Sequence, residues 1–298
     1  MAMSKIIRWT KVVVSFLFFG CLFPFYKRIY GTTNVLSIRN TLLKIINEDI
    51  SVSRFGDGEY RLIINKGLVL QKKNIELSKR LIDVFLNKNE KLMICIVDHT
   101  NFKNKKFEIM VHHVRCYVQM YKMYKHLLLK GYKYGDANIT RFYMDMKNKS
   151  EVKGLFDLWK QVWQNREIVI FEGEKTRFGI GNDLLDNVKS IERVLCPASQ
   201  AFDFYDQILE QARQLSKNKL LFFSLGATAT LAASDLTNEG YRVIDIGHLD
   251  IEYEWFISNA SNSIKIDIKQ ISEVSDGTLV TDPIDDLYYS QIIAKIGI

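Results

Sequence analysis

Apolar positions along this chain change period repeatedly, and the changes mark out alternating helices and strands. Residues 36–46 carry Leu42, Leu43, Ile45 and Ile46 at helical spacing, and residues 75–86 repeat an amphipathic helical pattern. Shorter apolar runs at 50–55 and 91–97 read as strands. Farther on, near-continuous apolar runs at 167–171, 191–195, 219–224 and 241–246 have the character of central strands in a parallel sheet. Helical patterns at 152–163, 204–215 and 227–237 fall between those runs. The same reading predicts one long aromatic and methionine-rich helix over 107–129 and a further strand over 139–144. The tail beyond 265 is expected to add an edge strand and a closing helix.

Strands alternating with helices of this length call for a parallel sheet covered on both faces. The predicted fold class is therefore α/β, a Rossmann-like domain. No Pro-, Ser- or Gly-rich linker interrupts residues 33–298, which are expected to form a single domain. The 298 residues are 47% hydrophobic with only 3 Pro, which excludes a disordered or fibrous chain.

Net charge is +7, from 41 basic and 34 acidic residues. The lysines are dispersed, and no element carries basic and aromatic residues at a docking spacing, so nucleic acid is not an expected partner. Cys21, Cys95, Cys116 and Cys196 show no CxxC spacing, which argues against a zinc site or a disulfide framework and fits a reducing compartment. Residues 1–32 stand apart. There Lys5, Arg8 and Lys11 precede the mostly apolar residues 12–26, and Lys27-Arg28 follow. That stretch is shorter than the roughly 20 residues of a spanning helix, and no signal-peptidase-like site follows it. Two readings stand: a helix lying in the membrane interface, or a hydrophobic helix packed on the protein or a partner subunit. The expectation taken forward is a cytoplasmic protein in peripheral contact with the inner leaflet.

Candidate chemistry gathers where strands run out, the ligand-binding end of an open α/β sheet. Gly56-Asp57-Gly58-Glu59 follows the 50–55 strand, and its two carboxylates can face one hard cation such as Mg2+ or Mn2+. An ordinary turn opening a helix explains the same acids. Arg54 beside them suggests phosphate recognition. A second loop, Arg177-Phe178-Gly179-Ile180-Gly181-Asn182-Asp183, offers backbone amides to a nucleotide or sugar, although it lacks a dinucleotide fingerprint. Leu225-Gly226-Ala227-Thr228 turns from a strand into a helix start, which either binds an anion or only packs the corner.

The last constellation is Gly247-His248-Leu249-Asp250-Ile251-Glu252-Tyr253-Glu254-Trp255. If helical, Asp250 and Glu254 share a face while Glu252 points elsewhere. Asp250 is the first choice for a catalytic base, His248 the second, and Glu254 completes the set. His99, His112, His113 and His126 lack such company and read as structural or surface residues.

These segments resemble the bacterial glycosyltransferases of the GT-D fold, once catalogued as a domain of unknown function. That family carries an Arg-Phe-Gly-Asp-Gly-Glu turn, a Thr-Arg-Phe-Gly-x-Gly-Asn-Asp loop, a Leu-Gly-x-Thr-Ala-Thr turn and an Asp-Ile-Gly-His-x-Asp-Ile-Glu-Tyr-Glu-Trp segment. All four occur here in order, over about residues 35–270. The resemblance implies transfer of a sugar from a UDP-sugar, with Asp57 and Glu59 as the Asp-x-Glu motif holding Mn2+ or Mg2+ and the diphosphate. It further implies a nucleotide-sugar pocket drawn from Arg54, Arg177, Gly179, Gly181, Asn182, Asp183, Gly226 and Thr228. The expected reaction moves a hexose, glucose or galactose first, onto a glycan acceptor in polysaccharide or glycoprotein biosynthesis. A metal-dependent phosphoester hydrolase and a catalytically silent nucleotide-binding module are the alternatives.

Overall fold

The computed structural model describes residues 2–121 and 125–298. Its strands are β1 (Ser51–Phe55), β2 (Leu92–Ile96), β3 (Gly135–Asp136), β4 (Glu167–Gly173), β5 (Ser190–Cys196), β6 (Leu220–Ser224), β7 (Arg242–Asp245) and β8 (Ile292–Lys295). They form one sheet in the order β3-β2-β1-β7-β6-β4-β5-β8, with every pair parallel. The helices are α1 (Ala2–Tyr30), α2 (Ile38–Glu48), α3 (Asp57–Ile63), α4 (Ile75–Leu86), α5 (Phe107–Cys116), α6 (Val152–Trp163), α7 (Tyr205–Arg213), α8 (Ala227–Asn238), α9 (Leu249–Ile257) and α10 (Asp286–Ser290).

Continuous apolar strands are explained by burial on both faces. Side chains alternate across the sheet, so Ile168, Ile170 and Phe222 enter one core while Val169, Phe171 and Phe223 enter the other. Helices α2, α6 and α9 cover the first face with Leu42, Ile45, Trp159, Trp163 and Trp255. Helices α4, α7 and α8 cover the second with Leu81, Phe85, Ile208 and Leu231. Each such side chain contributes about 1.5–3 kcal/mol on burial, far more than the helix caps can. The caps set boundaries instead: Ser37 Oγ accepts from Asn40 N at 3.2 Å to open α2, and Asn74 Oδ1 accepts from Leu77 N at 3.1 Å to open α4.

Two predicted elements come out differently. The strand expected over 139–144 is a two-residue pairing at Gly135–Asp136, followed by a 3-10 turn over Ala137–Thr140. Gly135 sits where a Cβ would lie 2.4 Å from Cys95 Sγ, and Asp136 caps the turn by accepting from Asn138 N at 2.8 Å. Ile139 and Phe142 still reach the core, which is why they read as a strand. The long helix expected over 107–129 stops at Cys116 and continues as a π-helical turn, Tyr117–Tyr121, then a 3-10 turn, Lys125–Leu127. Part of that expectation, residues 122–124, lies outside the described residues. The tail supplies the closing helix α10 and the edge strand β8.

Helix α1 is longer than its apolar stretch suggested. Trp9–Tyr30 has mean hydropathy 1.6, enough by length and composition to cross a membrane. One face of it packs on α5 and the turn after it, where the Phe23 and Tyr117 ring centroids are 5.1 Å apart.

Candidate active site

The C-terminal ends of β1 and β7 lie side by side in the middle of the sheet. From there the chain runs outward through β2 and β3 on one side, while β6, β4, β5 and β8 occupy the other. A cleft of about 1030 Å³ opens over these ends and reaches those of β4 and β6. This is the switch-point position for a ligand in an open α/β sheet.

The floor of the cleft is an ion pair. Arg54, in β1, donates through its NH2 group to Asp245 Oδ1 at 2.7 Å and through Nε to the Asp245 carbonyl at 2.8 Å. Thr230 Oγ1 lies 3.2 Å from Asp245 Oδ2 and 3.0 Å from the Arg54 carbonyl, tying α8 to both strands. Gly247 must be glycine here. Its φ is +49°, and a Cβ would stand 1.9 Å from the Arg54 guanidinium. Arg54 therefore lines the cleft but its charge is matched by Asp245, so it braces the site.

The acidic turn forms the first wall. Glu59 Oε2 accepts the Gly56 N–H at 2.8 Å, which opens α3 in the manner of a capping box. Burial, and then Asp245, push the Glu59 carboxyl up to about 7. Asp57 is exposed, with its Oδ2 3.8 Å from His112 Nε2. His112 comes from α5 and lines the cleft, as do His99 and His113.

Could these acids hold a cation? Among the described residues no three His, Cys, Asp or Glu side chains converge as a ligand set. Asp57 and Glu59 both line the cleft, and one or two carboxylates suffice for Mg2+ when substrate phosphates complete the shell. Two carboxylates on one turn are a donor set suited to a hard cation that takes its remaining ligands from elsewhere.

The second wall is the turn from β6 into α8. Gly226 has φ +56°, and a Cβ there would meet nothing within 4 Å, because its open side faces the cleft. The first amides of α8 lie beside that space, a favourable place for an anion. Thr228 is fully buried, its hydroxyl without a partner among the described residues, and it does not line the cleft.

The loop over 177–183 does something other than expected. None of Arg177, Gly179, Gly181, Asn182 or Asp183 lines the cleft, although Thr176 and Phe178 do. Arg177 donates to the Ile268 carbonyl at 2.8 Å and also to the Thr281 carbonyl and Asp282, fastening the C-terminal segment. Asp183 accepts from Tyr253 Oη at 2.6 Å and Lys160 Nζ at 2.9 Å. Asn182 donates to Asp250 Oδ1 at 2.8 Å and Glu254 Oε1 at 2.7 Å. The loop holds α9 in place.

The start of α9 and the residue before it put Asp250 and His248 at the cleft, but not as equals. Asp250 is buried, and Lys269 Nζ lies 2.8 Å from its Oδ2 and 2.6 Å from Glu254 Oε1. Both Asp250 carboxylate oxygens are engaged by Lys269, and Asn182 donates to one of them, so Asp250 is tied into a network as well as lining the cleft. Glu254 shares the same lysine and lies off the cleft. Glu252 is buried away from it, accepting the Met144 N–H at 3.0 Å, with burial pushing its carboxyl to about 7.

His248 has different company. Its Nε2 is 3.9 Å from Glu273 Oε1, and that oxygen is 2.6 Å from Arg141 NH2. Burial lowers the His248 pKa; Glu273 opposes this, while Arg141 and Arg54 add to it. Despite burial, Glu273 is held below its ordinary range by His248 and Arg141. A neutral imidazole beside an ionised carboxylate is base-competent at neutral pH.

Comparison with known proteins decides the family. The model of the glycosyltransferase GT-D fold matches residues 52–274. This chain belongs to the GT-D glycosyltransferases. A probable glycosyl transferase Gly of Streptococcus gordonii is 36% identical over 276 residues, covering 89% of this chain and 39% of that protein. Glycosyltransferase GlyD of Streptococcus pneumoniae serotype 4 is 32% identical over 267 residues, covering 88% of this chain and 32% of that protein. The chain thus spans about a third to two-fifths of the length of these curated relatives. A solved structure described as a new glycosyltransferase from Streptococcus sanguinis superposes with TM-score 0.83 at 35% identity, over 89% of this chain and 99% of that one. A second, of domain of unknown function 1792 and described as a distinct glycosyltransferase fold, gives TM-score 0.84 at 34% identity over 91% of this chain and 98% of that one.

For this GT-D chain, sequence motifs missed His112, Arg141, Lys269 and Glu273. Arg141 and Glu273 sit in stretches with no strand-end or glycine signal. Arg141 follows the turn after β3 and Glu273 lies beyond α9, so only the fold brings them to His248.

Proposed function

We propose that this domain transfers a hexose from a UDP-sugar to a glycan hydroxyl, with Mn2+ or Mg2+ engaged by Asp57 and Glu59. The reading rests on one observation: the acidic turn, the open Gly226 turn and His248 all face a single cleft. About 1030 Å³ lies at the top of the usual range for ligand pockets, roughly 300–1,000 Å³. That leaves room for a nucleotide-sugar and the end of an acceptor. The diphosphate belongs at the start of α8, next to Gly226, with the Asp57–Glu59 turn opposite. Bound there, a divalent cation offsets the charge that develops on departing UDP.

His248 removes the proton of the acceptor hydroxyl as that oxygen attacks the anomeric carbon. The bond from that carbon to UDP breaks, and its electron pair leaves with UDP. Glu273, 3.9 Å from the ring, stabilises by its charge the imidazolium that forms, and Arg141 holds Glu273. His248 must be unprotonated to act, so activity should rise with pH through its lowered pKa and lie on a plateau at neutrality. In Glu273→Gln the imidazolium loses its counter-charge while Arg141 and Arg54 remain. The acid limb of kcat/KM should then move to still lower pH, with a reduced plateau. A limb that stays put assigns the acid limb to another group.

Titration of UDP in calorimetry tests the binding half of the proposal. Gly226→Val places a branched side chain at φ +56° over the approach to the α8 amides. UDP affinity should fall by about 10–100-fold, the worth of a charge-assisted hydrogen bond of 1.5–3 kcal/mol. Unchanged affinity in a folded variant confines this turn to packing.

A further inference from the structure

Helix α1 is apolar nearly all round, a pattern that requires cover on every side. Among the described residues only one side has it. Phe19, Leu22, Phe23, Tyr26 and Tyr30 pack against the main core, and Trp9 and Phe16 meet the Phe107 ring of α5. On the opposite side Leu17, Phe18 and Phe25 are each 62% exposed, flanked by exposed Val14 and Ile29. A continuous apolar face of this kind marks an interaction surface.

Charge identifies what covers it. Seven Lys and Arg residues and no acid precede Glu48; taking those seven from 41 leaves 34, equal to the 34 acids of the remainder. Five of the seven, Lys5, Arg8, Lys11, Lys27 and Arg28, belong to α1, and the other two, Arg39 and Lys44, to α2, so most of the chain's excess positive charge is carried by α1. Lys11 sits near one end of the apolar face, and Lys27 and Arg28 at the other; all three are exposed. Pairing this face with a second copy would bring two such unopposed clusters together, which disfavours self-association. Spanning a bilayer would strip Phe19, Leu22, Phe23 and Tyr26 from the core. A helix with an apolar outer face and basic ends suits the surface of an anionic membrane.

We propose that the outer face of α1 docks the protein on an anionic lipid bilayer, with the helix lying along the surface and its basic ends among the headgroups. The inference stands on α1 alone and is independent of the chemistry assigned to the cleft.

Vesicle flotation of the full chain tests it, comparing phosphatidylcholine vesicles with phosphatidylcholine–phosphatidylglycerol vesicles at low and high salt. Binding should be strong on the anionic vesicles, weak on the neutral ones, and reduced by salt. The double variant L17E/F18E should no longer float, while circular dichroism and thermal unfolding stay those of the parent, since both side chains point outward. K27E/R28E should lower anionic-vesicle binding at least about tenfold, from roughly 1 kcal/mol per basic residue. Equal flotation of the parent and both variants, or none by the parent, overturns the proposal. So does a lipid-free dimer in light scattering that L17E/F18E dissolves, which would give the face to a second copy.

Discussion

Asp57→Asn is expected to cut turnover by about 10²-fold or more and leave folding untouched. A cation at departing UDP is worth several kcal/mol in the transition state, and each 1.36 kcal/mol is a factor of ten in rate. In the proposed reading Asp57 would supply that interaction from an exposed position, its side chain 55% accessible, with no packing to lose. Glu59→Gln should also impair turnover, although its amide oxygen can still accept the Gly56 N–H and open α3. Steady-state UDP release with matched unfolding curves checks both. If Asp57→Asn keeps more than a third of the parent rate, the acidic turn is only a helix start.

The largest expected loss of stability comes from a residue remote from the acidic turn. Lys269 is fully buried, and its ammonium lies between Asp250 and Glu254. Lys269→Met leaves two carboxylates facing each other without a counter-charge, and breaking a buried pair in this way costs about 3–5 kcal/mol. Native domains have only about 5–15 kcal/mol in total, so the urea midpoint should fall sharply. Asp250→Asn should cost less, because Lys269 keeps Glu254 and Asn182 keeps an oxygen to bond. A Lys269→Met protein within about 0.5 kcal/mol of the parent would show that this network does not hold α9.

Both results bear on how much of the molecule its sequence displays. Runs such as 167–171 and 219–224 are legible because parallel strands covered on both faces leave no polar position, and they appear as β4 and β6. Residues 139–144 misled for a related reason: a turn whose side chains fill the core has the same apolar composition as a strand. The Asp57–Glu59 turn, Gly226 and His248 were legible as strand-end features, and the fold brings them to one cleft. The 177–183 loop was legible as a special conformation, with Gly179 and Gly181 at positive φ, but its polar groups serve α9 and the C-terminal segment. Asp250 carried the strongest local pattern and lines the cleft, but its ion pair comes from a lysine 19 residues away. Local spacing cannot reveal such a partner, because nothing near Lys269 in sequence distinguishes it from the other lysines.

Metal-dependent sugar transfer in this cleft is settled by a single coupled assay. The protein is incubated with UDP-glucose or UDP-galactose and glycan acceptors in Mn2+, then with excess EDTA, while UDP, inorganic phosphate and acceptor mass are followed together. A metal-dependent hexosyltransferase should release UDP only with both acceptor and metal, make the acceptor heavier by one hexose, and form no phosphate. Phosphate release without acceptor would make the protein a hydrolase, and transfer at the same rate in EDTA would contradict the role given to Asp57 and Glu59.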